Sequence, residues 1–376
     1  MKEVCMISHL DSIDYKAFIG LDWADDKHDV CVQDGVTGKR EFAVIKHNIN
    51  EIESWAKGLY RRFGGQIAIA VELSKGPIVY ALQHFDFFTI VPINPTTLAK
   101  YRTAFKSSKA KDDPTDAEFA LELMLRYPEH FKPLELQSIQ MRTLMFLVEH
   151  RRKLVDDKQR IINQIINVLK QYYPEVLDMF DHRDSQAFCA FVLRWPTCQY
   201  AQRVRIPTFR KFFHEYGVYK LACIERRISI IQDATPLTDD EAVVGTHSTL
   251  AVIYAKRISE VMANIHHYDK LISDVMSELP DANIFEGLPG AGKCLSPRLL
   301  AAFSDQRDRF NSAKEVQQYT GIAPVTQRSG KKTWVHWRWY SSKFLRQSFI
   351  EWADHSRRES YWANQYYLKQ RASGST

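Results

Sequence analysis

The sequence predicts an α/β layer domain at the N-terminus, a long helical middle and a mainly α-helical C-terminal unit. Three observations carry that prediction. Over residues 15–95, short apolar runs alternate with helical patterns in the order strand, strand, strand, helix, strand, helix, strand. Two later stretches repeat apolar residues in steps of three and four, the spacing of long helices with one apolar stripe. Beyond residue 281, helical patterns are separated by glycine turns. The expected boundaries are 15–128, 135–280 and 281–371.

FIGLD (18–22) and VCVQD (30–34) are β-prone and apolar, with Asp25, Asp26 and Lys27 near the bend between them. EFAVIKH (41–47) gives a third strand. Asn50 is placed to cap a helix through Arg62 whose Ile52, Trp55, Ala56 and Leu59 share a face. QIAIAVE (66–72) is a run of buried-strand type, Pro77 to His84 a short helix and FFTIVPI (87–93) a last strand. Residues 96–127 are helical and polar, broken by the basic loop KSSKAKDDP (106–114).

A heptad pattern then runs through Leu147/Val148, Leu154/Val155, Ile161/Ile162 and Val168/Leu169, ending before Pro174. A second carries Leu250, Tyr254, Ile258, Val261, Ile265, Tyr268, Ile272, Val275 and Leu279. They predict a coiled coil or bundle, as an antiparallel hairpin, a dimer contact or both. Short amphipathic helices fill 176–245. In the last unit, LPGAG (288–292) is a tight turn and 297–303 and 312–319 are helical. A loop spans 321–332, and a basic helix starts at Ser341.

The chain has 376 residues, 45% hydrophobic and 26% charged, which excludes a largely disordered protein. No uncharged apolar run approaches the roughly 20 residues that span a bilayer, and MKEVCMISHLDSIDYK has no signal core, so no membrane partner is expected. Six cysteines without a C-x-x-C pair indicate neither a zinc site nor a disulfide framework, and a reduced cytosol fits. The net charge is +6. Residues 327–371 hold ten Lys/Arg against three Asp/Glu, and five of the eight tryptophans. That mixture suits phosphates and stacked bases. A basic helical domain with tryptophans in its core fits equally well.

Asp22 and Glu72 each close an apolar strand, where a charge is normally avoided. Asp113 and Asp116 stand three apart at a helix start and so share a face; Asp112 can replace Asp113. Four converging carboxylates repel unless divalent cations neutralise them. Mg²⁺ prefers such oxygen ligands, and a metal pair serves phosphoryl transfer. EGLPGAGKC (286–294) spells G-x-x-x-x-G-K, but Cys294 replaces the hydroxyl and no buried strand precedes it, so an ATP loop is not expected. It fits a helix–hairpin–helix turn with Lys293 near a DNA phosphate, or a plain connection. Ser329 lies among Arg328, Gly330, Lys331 and Lys332 as a candidate nucleophile with cations at hand. Lys109 and Lys111, with Arg338 and Lys343, complete the candidate nucleic-acid contacts.

These motifs resemble one family. FIGLDWADDKHDVCVQDG, IAVELSKG, INPTTLAKYR and KAKDDPTDAEFALEL look like the RuvC-type DEDD domain of insertion-sequence transposases of the one-ten family. LPGAG, RFNSAKEVQQYTGIAPVTQRSGKK and FLRQSFIEWADHS look like that family's C-terminal transposase domain. The resemblance covers about 18–125 and 284–360, in the right order. It implies an RNase H/RuvC-like fold, a metal-binding tetrad of Asp22, Glu72, Asp113 and Asp116, and Ser329 as nucleophile. It also implies Mg²⁺, donor and target DNA, a bridge RNA from the same element, and a homo-oligomer, dimer or tetramer. In that assembly the acids of one subunit would serve the serine of another. A cytoplasmic, nucleoid-associated bacterial protein follows.

Two departures from the family stand out: this chain ends at ASGST where relatives usually continue as helix, and a tryptophan-rich run follows Ser329 where small residues are usual. Alternatives are a metal-dependent nuclease of Holliday-junction-resolvase type that uses water, and a nucleic-acid-binding transposon remnant without strand chemistry. FIGLDWADDK also fits the first phosphate strand of actin-like and sugar-kinase-like ATPases.

Overall fold

The computed structural model describes residues 13–105, 113–330, 332–339 and 341–374, with the backbone alone at Asp113. The chain divides into two compact units, residues 1–136 and 137–376.

The first unit is a mixed sheet with helices on both faces. Its strands are Ala17–Trp23 (β1), Lys27–Asp34 (β2), Arg40–Lys46 (β3), Ile67–Val71 (β4) and Phe88–Pro92 (β5), in the spatial order β3-β2-β1-β4-β5. β1, β2 and β3 form an antiparallel meander, and β4 and β5 continue it in parallel with β1. β4 is buried at all five positions, as its unbroken apolar run requires of a strand covered on both sides.

Ile19, Leu21, Val30, Ile69 and Val71 pack against helices Ile49–Phe63 (α1) and Pro77–Leu82 (α2). Cys31, Ala68, Ala70 and Val91 pack against Pro95–Phe105 (α3) and Asp113–Arg126 (α4). α1 begins earlier than expected: Asn48 is the cap, its side chain accepting from the Glu51 amide, and Gly64 ends the helix with φ 66°. β2 begins three residues before the predicted run because His28 and Asp29 are themselves buried.

The second unit is mostly helical. Two long helices, Ile139–Leu169 (α5) and Glu241–Glu278 (α11), flank five short ones: Glu175–Met179 (α6), Gln186–Arg194 (α7), Cys198–Gln202 (α8), Ile206–Glu215 (α9) and Leu221–Gln232 (α10). α5 and α11 run antiparallel. Met141, Leu144 and Val148 share a cluster with Ile272 and Met276, whereas Ile161 and Ile165 share one with Ala251, Ala255 and Ile258. Arg151 forms a bidentate ion pair with Asp269 across the pair.

The expected stripe holds from Ile258 to Leu279. Nearer the start of α11 the buried residues are Ala251 and Ala255, and Leu250 is exposed. There the helix faces the aromatic core of α6 to α10, built from Phe180, Phe188, Phe191, Phe209, Phe212 and Phe213, and small residues admit those rings.

Ala282–Glu286 (α12), Gly292–Phe303 (α13), Ala313–Tyr319 (α14), Lys343–Glu359 (α15) and Tyr361–Ala372 (α16) complete the fold. Leu295, Leu299 and Phe349 join the core that Met141 and Ile272 begin. The stretch expected as a loop over 321–332 is instead one arm of a two-stranded hairpin, Val325–Ser329 (β6) with Lys332–His336 (β7). Both arms are β-prone, and Gly330 at φ 56° supplies the turn. Among the described residues no helix is long and apolar enough to cross a membrane.

Candidate functional site

The strand register brings three carboxylate positions into one row. Leu21 pairs with Val71 across the parallel strands, so Asp22 and Glu72 leave adjacent strands side by side at their carboxyl ends. Adjacent strands lie about 4.8 Å apart. On the other flank Asp22 pairs directly with Asp29 of β2. Alternation assigns all three to one face, that of Gly20, Cys31 and Ala70. Asp29 is buried, and Lys27 reaches it at 3.4 Å.

α4 covers that same face and is aimed at the acidic end. A Cβ at Gly20 would run into the Ala117 carbonyl oxygen and stand 2.7 Å from the Leu121 nitrogen, so only glycine lets the helix lie this close. Glu118 and Glu122 both meet Arg40, at 2.8 and 3.1 Å. Arg40 pairs with Gln33, itself opposite Phe18 near the start of β1. α4 therefore runs antiparallel to β1, and its N-terminus, with Asp113 and Asp116, lies toward Asp22 and Glu72. The Asp113 side chain, Asp112, Lys109, Lys111 and Lys331 fall outside the described residues.

Asp116 is almost wholly buried and held by the Arg102 fork of α3, Nε to Oδ1 at 2.5 Å and Nη2 to Oδ2 at 2.7 Å. A buried carboxylate requires such a partner. Among the described residues no three His, Cys, Asp or Glu side chains sit close enough to hold a metal ion. The all-oxygen donors at the strand ends suit a hard cation. Asp116, in this conformation, is committed to Arg102 instead. On the opposite face His28 is buried. Its Nδ1 accepts from the Ala24 amide, and its Nε2 shares a 2.8 Å hydrogen bond with His47 Nδ1. Burial first, and His47 second, push its pKa down to about 4.

Ser329 lies in the second unit, exposed at the tip of the β6–β7 hairpin and paired in register with Lys332. Gln327, Arg328, Ser329, Lys332, Thr333 and Trp334 line one open hollow there. Arg338 is half-buried and its carbonyl accepts from Arg346; Lys343 is exposed at the first turn of α15. Trp334, Trp337, Trp339 and Trp362 are exposed, so the tryptophans of this basic stretch are not core residues; Trp352 alone packs against the core.

The LPGAG turn is bound to α15. Gly290 donates to Glu359 at 2.8 Å, Trp352 Nε1 donates to the Pro289 carbonyl at 3.0 Å, and a Gly290 Cβ would meet the His355 carbonyl carbon at 2.5 Å. These contacts favour the plain connection over a DNA-facing turn, although Lys293 remains exposed.

Asp29 and Arg102 leave little trace in the sequence. Asp29 sits inside KHDVCVQD, where burial on both faces hides alternation. Its signal was available in the β1–β2 hairpin, whose bend at Asp25 and Asp26 sets Asp29 opposite Asp22.

The first unit thus ends its sheet in carboxylates, and the second carries a basic, aromatic surface with an exposed serine. Two transposase family models match the chain: the DEDD transposase model over residues 19–174, and the transposase IS116/IS110/IS902 family model over 282–368. Together they cover well over half of it. A mini-circle protein of Streptomyces coelicolor, assigned as the transposase for IS117, is 28% identical over 95% of this chain and 88% of its own length. An uncharacterized 44.8 kDa protein of insertion element IS116 from Streptomyces clavuligerus is 23% identical over 76% of this chain and 70% of its own. The chain belongs to the IS110 family of transposases.

Proposed function

We propose that this transposase cuts and joins DNA by attack of Ser329 on a backbone phosphate, supported by Mg²⁺ at the acidic end of an RNase H/RuvC-like sheet. The observation that carries the proposal is the adjacency of Asp22 and Glu72 at the ends of parallel strands beneath the N-terminus of α4. Ser329 Oγ forms the new bond to phosphorus as the bond from phosphorus to the departing nucleoside oxygen breaks. The serine proton passes to a base, and the departing oxygen takes up a proton. The reverse step, with a hydroxyl from another strand end, joins DNA and frees the serine. Arg328 and Lys332 oppose the negative charge that grows on the phosphate.

Asp22, Glu72 and Asp113 would hold the cation, with Asp116 joining once it releases Arg102. Bound there, Mg²⁺ supplies charge neutralisation at phosphate oxygens. Asp22→Asn removes one anionic ligand and should slow Mg²⁺-dependent cleavage of element-end DNA on the order of 10³-fold. Unchanged cleavage overturns the assignment of Asp22. Cleavage that persists in Ser329→Ala and needs only water would instead identify a resolvase-type nuclease.

The enzyme acts as a homo-oligomer guided by a bridge RNA from its own element. Sequencing nucleic acid that copurifies with the chain tests this. A single structured RNA from the flank of its gene is expected, and a random mixture or none contradicts it.

A further inference from the structure

We propose that the Ser329 face of the hairpin is a stacking platform for unpaired bases of a single nucleic-acid strand. This rests on the function proposed above and names the form of substrate that Ser329 meets.

Antiparallel register sets Ser329 opposite Lys332 and Gln327 opposite Trp334. Alternation then puts Ser329, Gln327, Lys332, Trp334 and His336 on one face. Trp334 stands two residues along the hairpin from Ser329, about 7 Å. The two line the same hollow.

From Trp334 the aromatic surface continues. The His336 ring lies 4.4 Å from the Trp334 ring and stacks on Trp339 at 4.4 Å, with 26° between the planes. Trp334 and Trp339 stay 53% and 61% exposed. A hairpin that hides neither ring has no core use for them. Large exposed aromatic surface marks a place where something binds.

Charge identifies the occupant. Between Glu315 and Glu351 the sequence has no acid and six Lys/Arg. A partner here must be a polyanion that also offers flat apolar faces. Single-stranded nucleic acid has both, and stacking on aromatic side chains tolerates any base. A duplex keeps its base faces covered, offering phosphates and groove edges but no face on which a ring can stack.

The platform gives the serine an orientation. A base stacked on Trp334 fixes the adjoining sugar and phosphate within one nucleotide of the Ser329 hydroxyl, while Lys332, on the same face, meets the phosphate. Trp334 is thus a substrate-contacting positioning residue, and Trp339 extends the grip.

The test uses the full-length chain and 2-aminopurine-labelled oligonucleotides of equal length, single-stranded or duplex. Wild type should quench the probe in the single strand. Trp334→Ala should weaken single-strand binding about tenfold while duplex binding moves less than twofold. Trp334→Phe, which keeps a flat ring, should retain most of the affinity. Unchanged single-strand affinity, or an equal loss on duplex, overturns the platform. So does a change in oligomeric state with binding intact, which would make this a contact between protein copies. Circular dichroism confirms that each variant is folded. Failure of the serine chemistry is read separately, because Ser329→Ala should bind single strands like wild type.

Discussion

The two units carry their candidate functional groups in opposite ways. In the first, Asp22, Asp29 and Glu72 rise from strands buried on both faces, and α4 is locked over them by a glycine that admits nothing larger. In the second, Ser329 stands at the tip of a two-stranded ribbon whose side chains are nearly all exposed. The metal-binding role proposed for Asp22 and Glu72 needs fixed spacing, and a packed sheet supplies it. The nucleophilic role proposed for Ser329 needs access to a long polymer, and an exposed hairpin supplies that. The contrast predicts that small structural changes at the sheet are costly, whereas comparable changes at the hairpin affect only chemistry.

Gly20→Val is the sharpest way to break the comparison. Its branched side chain would occupy the space of the Ala117 carbonyl, and the destabilisation should reach about 3 kcal/mol or more by denaturant unfolding. Thr333→Val on the hairpin should stay within about 0.5 kcal/mol. Similar values at both positions would erase the distinction.

Arg102→Ala comes next. It strands the buried Asp116 carboxylate without its fork, and because Arg102 is partly exposed the loss should be about 2–3 kcal/mol. Adding Asp116→Asn should recover part of that loss, since the buried anion is then gone. No recovery would mean that Arg102 matters through packing alone.

The pH dependence at His28 tests the first unit without altering its packing. Its folded pKa is depressed, from the ordinary 6.5 to about 4, so the unfolded chain binds the proton first. Stability is therefore full above about pH 6.5 and falls as pH drops toward 4, by a total on the order of 3 kcal/mol. His28→Gln should flatten that limb of the pH profile. An unchanged slope would show that other groups produce it.

What the sequence disclosed follows the same division. Asp22 and Glu72 were legible because each puts a charge at the end of an apolar strand, a violation visible without a structure. Arg102 was not, since a fork reaching fourteen residues along the chain to Asp116 leaves no periodic trace. The stretch 321–332 reads as a loop because the hairpin's faces are both exposed, so no buried alternation marks TQRS or KTWVH as strands. In α11 the 4–3 stripe placed the helix correctly but not its first buried residues, because Ala251 and Ala255 are chosen by neighbouring phenylalanines that spacing cannot reveal.

The most direct test of the nucleophile is to trap the chain on nicked element-end DNA in Mg²⁺, digest it and identify the DNA-linked peptide by mass spectrometry. The account predicts one linked peptide, containing Ser329 and absent from Ser329→Ala. A link at another residue, or cleavage that leaves both DNA ends free of protein, would contradict it.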